Sequence, residues 1–349
     1  MKRTFSVAAA VGLLALGLVL FVWWADSGLR PRDQLERDTT YAPSSASTAR
    51  DTFTVVSYNL GHRAEPGAPL DRAVTLLRTA RPDFVALQDV DLTAGSPHPL
   101  DSIAAQLGAT ASAQAVRQND RYVPSLLSSS RGGAVVSGQA FLSRFPIRRH
   151  TRRAIDRDSL STWETLFRPH PAVQVSVAGI GGWPLVVMNV NLDAETVAAR
   201  ERQARAVNRL YGRISRRGFP VLLLGSINSP MPSVAGSAPA SGDETMAYLL
   251  RGTGLQPALS AESARVTGRS VATYPAHDPA RKVDYIFYRP RLVVPIDAQI
   301  RCGDAPPPSD HCAISFSFLL PRPVDRLPDT RIPDEKLPSL DRLLDGGGG

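Results

Sequence analysis

Two packed β-sheets with helices on their outer faces is the architecture this sequence predicts. Short apolar runs with strand character recur through the middle of the chain. Segments with helical spacing are few, too few for a single sheet wound with a helix after every strand. Of 349 residues, 43% are hydrophobic, which suffices for a sizeable core.

The chain begins with Lys2 and Arg3, followed by an uncharged and largely apolar stretch from Thr4 to Ala25. That stretch approaches the ~20 residues a bilayer crossing needs. It closes on Trp23 and Trp24, where a cleavable signal would carry small residues. Residues 1–25 therefore read as an uncleaved transmembrane signal anchor with an aromatic belt, placing everything after Asp26 outside the cytoplasm. Residues 26–51, with "YAPSSASTARD", have linker composition. Residues 321–349 form a proline-rich tail in which regular structure is blocked. The globular part is 52–320.

Within it, "TFTVVSYNL" (52–60) reads as a strand. "LDRAVTLLRTARPD" (70–83) has Ala73, Val74, Leu76, Leu77 and Ala80 at helical spacing. "DFVALQDV" (83–90) is a strand, and "DSIAAQLG" (101–108) a short helix ended by Gly108. "AVVSGQAFLSRFPI" (134–147), "AVQVSVAGI" (172–180) and "PLVVMNVNL" (184–192) are strands. The long helix starts near Asp193, a candidate N-cap, and ends near Gly218, a candidate C′ residue. Its apolar stripe is Val207, Leu210, Tyr211 and Ile214. "PVLLLGSIN" (220–228) is a strand, "DETMAYLLRGTG" a shorter helix, and "KVDYIFYRP" and "CAISFSFLL" close the domain as strands.

The formal net charge is +8, mostly from arginine. It favours phosphates or anionic lipid head groups; a plain preference for Arg over Lys in scattered positions fits the same number. The densest cluster is Arg148, Arg149, Arg152 and Arg153, placed to rim a cleft. Cys302 and Cys312 are the only cysteines, open to two readings: a bridge in an oxidising compartment, or two buried thiols. No cysteine pattern for metal is present.

Several strands stop in polar residues: Asn59, Asp89, Asn191 with Asp193, Ser226 with Asn228, Asp284, and Asp310 with His311. Taken singly, an Asn after a strand is a turn former. Carboxylates and amides converging from separate strands make a divalent-metal and phosphate site. The stretches "VVSYNLG", "RPDFVALQDVD", "GQAFLSRFPI", "VVMNVNLD" with "RERQARAV", "PVLLLGSINSP", "TYPAHDPARKVDYIF" and "SDHCAISF" resemble, in order, those of the endonuclease/exonuclease/phosphatase superfamily across residues 53–318. The resemblance implies a four-layer α/β/β/α sandwich of two mixed sheets with helices outside, and Mg²⁺-dependent phosphoester hydrolysis at one sheet edge.

Residue by residue, the resemblance implies the following. Asn59 matches a metal-site helper, and Asp89 stands where the family has its main metal-binding glutamate. Asn191 stands in place of a histidine, and Ser226 in place of the aspartate that handles the attacking water. Asn228 matches; Asp284 orients the last histidine; Asp310 joins the metal side, and His311 sits against the phosphate. A serine hydroxyl cannot take a proton from water near pH 7, and losing a positioned base costs about 10²–10⁴ in rate. The expectation is a membrane-anchored, extracytoplasmic member with weak or lost Mg²⁺ binding and attenuated or absent hydrolysis, a pseudoenzyme. The alternative is an active phosphodiesterase or phosphatase with a relocated base, Asp193. Its ligand would carry phosphate, as a phospholipid head group, nucleotide or nucleic acid does. No aromatic-rich basic stripe for single-stranded nucleic acid is present.

Overall fold

The strand positions that face each other across the middle of the molecule are phenylalanines. In the computed structural model, Phe53, Phe84, Phe141, Phe145, Phe316 and Phe318 are buried together between two sheets. Phe53 meets Phe145 edge-on at 5.6 Å, and Phe84 stacks on Phe145 at 5.5 Å. Each such side chain contributes about 1.5–3 kcal/mol by leaving water. The structure describes residues 12–14, 16–18, 20, 37–40, 51–61, 70–91, 99–119, 136–155, 171–180, 183–231, 242–260 and 270–321.

The strands are β1 (Arg37–Thr40), β2 (Thr52–Asn59), β3 (Phe84–Asp91), β4 (Ala111–Asn119), β5 (Val136–Ser143), β6 (Ile147–Ala154), β7 (Ala172–Ile180), β8 (Trp183–Asn191), β9 (Val221–Ser226), β10 (Gln256–Pro257), β11 (Asp284–Tyr288), β12 (Val294–Arg301) and β13 (Ala313–Leu319). The helices used below are α1 (Leu70–Thr79), α2 (Pro99–Leu107), α3 (Val197–Ser215) and α4 (Thr245–Leu250). Among the described residues, one seven-stranded sheet has the order β1-β4-β5-β3-β2-β13-β12 and a six-stranded sheet has β10-β11-β9-β8-β7-β6.

Each sheet has one parallel pair, β2 with β3 and β8 with β9. The crossover helices α1 and α3 join these pairs. Alternation along each strand sends one set of side chains between the sheets and the other under the helices. Val56, Tyr58, Val85 and Leu87 pack with α1 and α2. Val186, Met188, Val190, Val221 and Leu223 pack with α3 and α4. The layers are therefore α/β/β/α, as the resemblance implies.

Several elements differ from the sequence reading. Arg37–Thr40, inside the segment read as linker, pairs antiparallel with β4. β4, β6 and β12 carry too little apolar alternation to stand out. The arginine cluster lies within β6, where Arg152 is buried and its Nε donates to the Val116 carbonyl at 2.6 Å. Arg152 therefore links the two sheets instead of lining a rim. The N-cap of α3 is Thr196, not Asp193; Asp193 Oδ1 instead accepts from the Glu195 and Thr196 amides just before the helix. The C-cap is Arg216, and Gly218 follows it with φ of +77°.

Among the described residues no helix is long and apolar enough to cross a membrane. Most of the expected anchor (1–25) and all but the first residue of the expected tail (321–349) lie outside the described residues. Cys302 and Cys312 form a disulfide, closing a loop across the turn from β12 to β13.

Candidate functional site

Follow the inter-sheet positions along each strand and the phenylalanines give way to amides. On β2 the inward set runs Phe53, Val55, Ser57, Asn59; on β9 it runs Leu222, Leu224, Ser226. Gln88 Nε2 donates to Asn189 Oδ1 at 2.8 Å, and Asn189 Nδ2 donates to Gln174 Oε1 at 2.9 Å. Gln139 Nε2 donates to the Asn189 carbonyl at 3.0 Å. This buried amide layer ties the sheets together directly beneath the polar strand ends. Its side-chain amide N–H groups bond across from one sheet to the other, which favours one relative placement of the layers, while Gln88 Oε1 and Gln139 Oε1 are buried without a partner among the described residues.

The strand ends above it form one continuous chain of contacts. Register sets it up: Ser226 lies opposite Asn191 on β8 and opposite Asp284 on β11. Asn59, on the facing sheet, donates its Nδ2 to Ser226 Oγ at 3.0 Å and to Asp89 Oδ2 at 3.0 Å. Asn191 Nδ2 donates to the same Asp89 oxygen at 2.7 Å. Ser226 Oγ donates to Asp284 Oδ1 at 2.6 Å. The other oxygen of Asp284 pairs with His311 Nδ1 at 2.9 Å. At the far end, Arg117 lies 3.4 Å from Asp89 Oδ1.

Backbone geometry positions these groups. Gly225 has φ of +126°, and a Cβ there would meet the Val190 carbonyl at 1.9 Å. Only glycine lets β9 approach β8 this closely before Ser226. Asp89 has φ of +49° and sits where the β3–β5 register shifts between Leu87 and Val90. A bulge at that place re-aims the carboxylate out of the strand alternation.

The charges follow from burial and neighbours. Burial acts to lower the His311 pKa, but the hydrogen bond and charge of Asp284, with Asp310 and Asp89, outweigh it and raise the value above 6.5. The Tyr274 ring lies 4.9 Å from the His311 ring, and Arg281 sits over Tyr274 at 4.9 Å. Ser309 fixes the local loop: its Oγ donates to the Asn59 carbonyl at 2.8 Å and accepts from the His311 amide at 3.1 Å.

The structure thus joins Asn59, Asp89, Asn191, Ser226, Asp284 and His311 into one site. Asn228 stands apart. Its φ is +58° and its Nδ2 donates to the Leu192 carbonyl at 2.8 Å, so it shapes the turn after β9. Asp310 is exposed, 3.4 Å from Ser309 Oγ and over Gly61, where a Cβ would meet it at 2.7 Å. Sequence reasoning missed Arg117 and Ser309. Ser309 had a signal in the "SDH" run; Arg117 had none beyond its place at the end of a weakly alternating segment.

A divalent ion needs carboxylate oxygens turned toward it, and this donor set does not fit one. Asp89 Oδ2 is taken by two amide N–H groups and Oδ1 faces a guanidinium. Among the described residues no three His, Cys, Asp or Glu side chains are placed to share an ion. Ser226 is fully buried and its proton is directed at Asp284, with no hydrogen bond to His311 among the described residues, so it is not arranged as a nucleophile with a histidine base.

Comparison with known proteins gives a consistent result. The profile of the Endonuclease/Exonuclease/phosphatase family matches residues 56–311. Among solved structures, an endonuclease/exonuclease/phosphatase from Beutenbergia cavernae superposes with a TM-score of 0.57 at 17% identity, over 78% of this chain and 72% of that one. The human Nocturnin catalytic domain with bound sulfate anion gives 0.54 at 16% identity, over 84% and 99%. Truncated Caenorhabditis elegans TDP2 gives 0.51 at 17%, over 77% and 97%. At such identities the likeness is one of fold. No curated protein sequence matches the chain.

Proposed function

This chain belongs to the endonuclease/exonuclease/phosphatase family, and from that premise we propose that it keeps the family's phosphate pocket while having lost metal-dependent phosphoester hydrolysis. Members of the family generally depend on a divalent metal. The observation that carries the reading is the engagement of Asp89: both of its oxygens are committed to Asn59, Asn191 and Arg117. Ser226 adds no carboxylate and donates its proton to Asp284.

What this chain retains is an imidazole held by a buried carboxylate. Asp284 fixes Nδ1 of His311 and favours the charged ring, which leaves Nε2 as the donor for an anionic oxygen. A phosphate-bearing group is the ligand chemistry that this pocket and the net charge of +8 support. The relocated-base alternative finds no support at Asp193, whose carboxylate accepts the Glu195 and Thr196 amides ahead of α3.

The same reading places the domain outside the cytoplasm on a single N-terminal anchor. The uncharged stretch ending in Trp23 and Trp24 and the Cys302–Cys312 disulfide support it, since disulfides persist in oxidising compartments. Membrane fractionation with protease accessibility tests that placement; a soluble mature protein starting near Asp26 contradicts it.

The hydrolysis reading is tested with bis-p-nitrophenyl phosphate and millimolar Mg²⁺ or Mn²⁺. The full chain is expected to release nitrophenol no faster than buffer, while broadening the ³¹P signal of inorganic phosphate in a manner lost in His311→Asn. Metal-dependent release by the wild type that disappears in His311→Asn overturns the reading.

A further inference from the structure

Arg117 reaches Asp89 across an intervening strand, and the sheet is built to let it. β5 lies between β3 and β4. Gly138 on β5 pairs with Val90 of β3 on one side and Val116 of β4 on the other. The β3 register shifts just before Val90, at Asp89, and the β4 register shifts just after Val116, at Arg117. Two bulges thus flank one glycine, each aiming a charged side chain out of the regular alternation. Gly138 puts no side chain in the way, and a Cβ there would meet the Ala115 carbonyl at 2.2 Å.

The guanidinium is buried and only partly paired. The Arg117 side chain is only 10% exposed, and its Nε has no hydrogen-bond partner among the described residues. A buried cation without full hydrogen bonding is costly unless a charge partner holds it. Asp89, with its side chain 24% exposed, is that partner at 3.4 Å.

We propose that Arg117 is the resident cation of this site, its guanidinium occupying on Asp89 the electrostatic place of a divalent ion, so that the pocket receives phosphate without metal. The proposal rests on the reading of a phosphate pocket without hydrolysis and names the residue that makes it independent of metal. Burial lowers the Arg117 pKa below its ordinary value, while both Asp89 and Asp193 act to raise it. A guanidinium is the suitable replacement because it cannot shed its proton and it approaches carboxylates as a planar fork.

The test reads metal occupancy, not turnover. Full-length protein in detergent is titrated with Mn²⁺ and bound ion is followed by electron paramagnetic resonance. Wild type and Arg117→Lys are expected to bind none at millimolar Mn²⁺. Arg117→Met is expected to bind at least about tenfold more tightly than wild type, and adding Asp89→Asn should abolish the gain. Should Arg117→Met unfold, millimolar Mn²⁺ is expected to restore its circular-dichroism signal. Wild-type binding that Asp89→Asn removes overturns the proposal, as does an Arg117→Met chain that neither gains Mn²⁺ nor, if unfolded, is rescued by it. The hydrolysis assay fails or succeeds separately: wild-type turnover without Mn²⁺ binding contradicts the functional reading and leaves the role of Arg117 standing.

Discussion

One half of the site, Asp284 with His311, is largely buried and keeps a carboxylate–imidazole pair: the side chains are 3% and 10% exposed and 2.9 Å apart. The other half, Asp89 with Arg117, keeps its acid but turns it onto a built-in cation and two amides. Ser226 and Asn59 bridge the halves. The scaffold that the proposed reading assigns to phosphate and the acid at the Asp89 end are thus separable. Register, Gly225 and the amide layer preserve the first; the second has changed at single side chains.

The largest expected effect breaks the preserved half. Asp284→Ala leaves the His311 ring and the Ser226 hydroxyl without their acceptor in a buried place. Unfolding free energy should fall by about 3–5 kcal/mol, read by urea denaturation, and a loss below about 1 kcal/mol would mean the pair is not structural. Next comes restoration of the altered half. Asp89→Glu, Asn191→His and Ser226→Asp together should stay near background while Arg117 remains. Adding Arg117→Met should raise Mn²⁺-dependent cleavage of bis-p-nitrophenyl phosphate by about 10²-fold, because metal ligand, phosphate binder and base act as a unit. Equal gain with Arg117 in place would dissolve the contrast between the halves.

A smaller effect concerns the loop that carries His311. The Cys302–Cys312 bridge spans a sequence separation of 10 and encloses Ser309, Asp310 and His311. Replacing both cysteines with serine should cost about 2–3 kcal/mol and weaken phosphate binding without changing Mn²⁺ binding, by denaturation and ³¹P titration. The smallest is a pH effect. The folded-state pKa of His311 is raised above 6.5, so its stabilising contribution is complete below that value and is lost as pH rises through the folded value. The wild-type Tm should decline over that window relative to His311→Asn; parallel profiles would show that the Asp284 pair does not favour the charged ring.

Much of this was legible from the chain, for physical reasons that differ by residue. β2, β8, β9 and β13 announce themselves because large apolar residues fill both buried faces. β4 reads "ASAQAVRQN": its inward positions are alanines, which give little contrast against serine and glutamine. β6 reads "IRRHTRRA", an edge strand whose arginines look like a surface cluster. The site residues at strand ends were visible as polar stops, yet the same signal also marked Asn228, which shapes a turn, and Asp310, which lies over Gly61. Arg117 was invisible because its meaning depends on Gly138 and on bulges in two neighbouring strands. No local pattern encodes that juxtaposition.

The central claim is that Asp89 is already occupied by a cation of the protein's own. A crystal of the wild-type protein soaked in manganese, with anomalous scattering collected at the metal edge, addresses it most directly. The expected map shows no anomalous peak beside Asp89 and continuous density between its carboxylate and the Arg117 guanidinium. A peak bound to Asp89, with Arg117 swung away from it, would contradict the account.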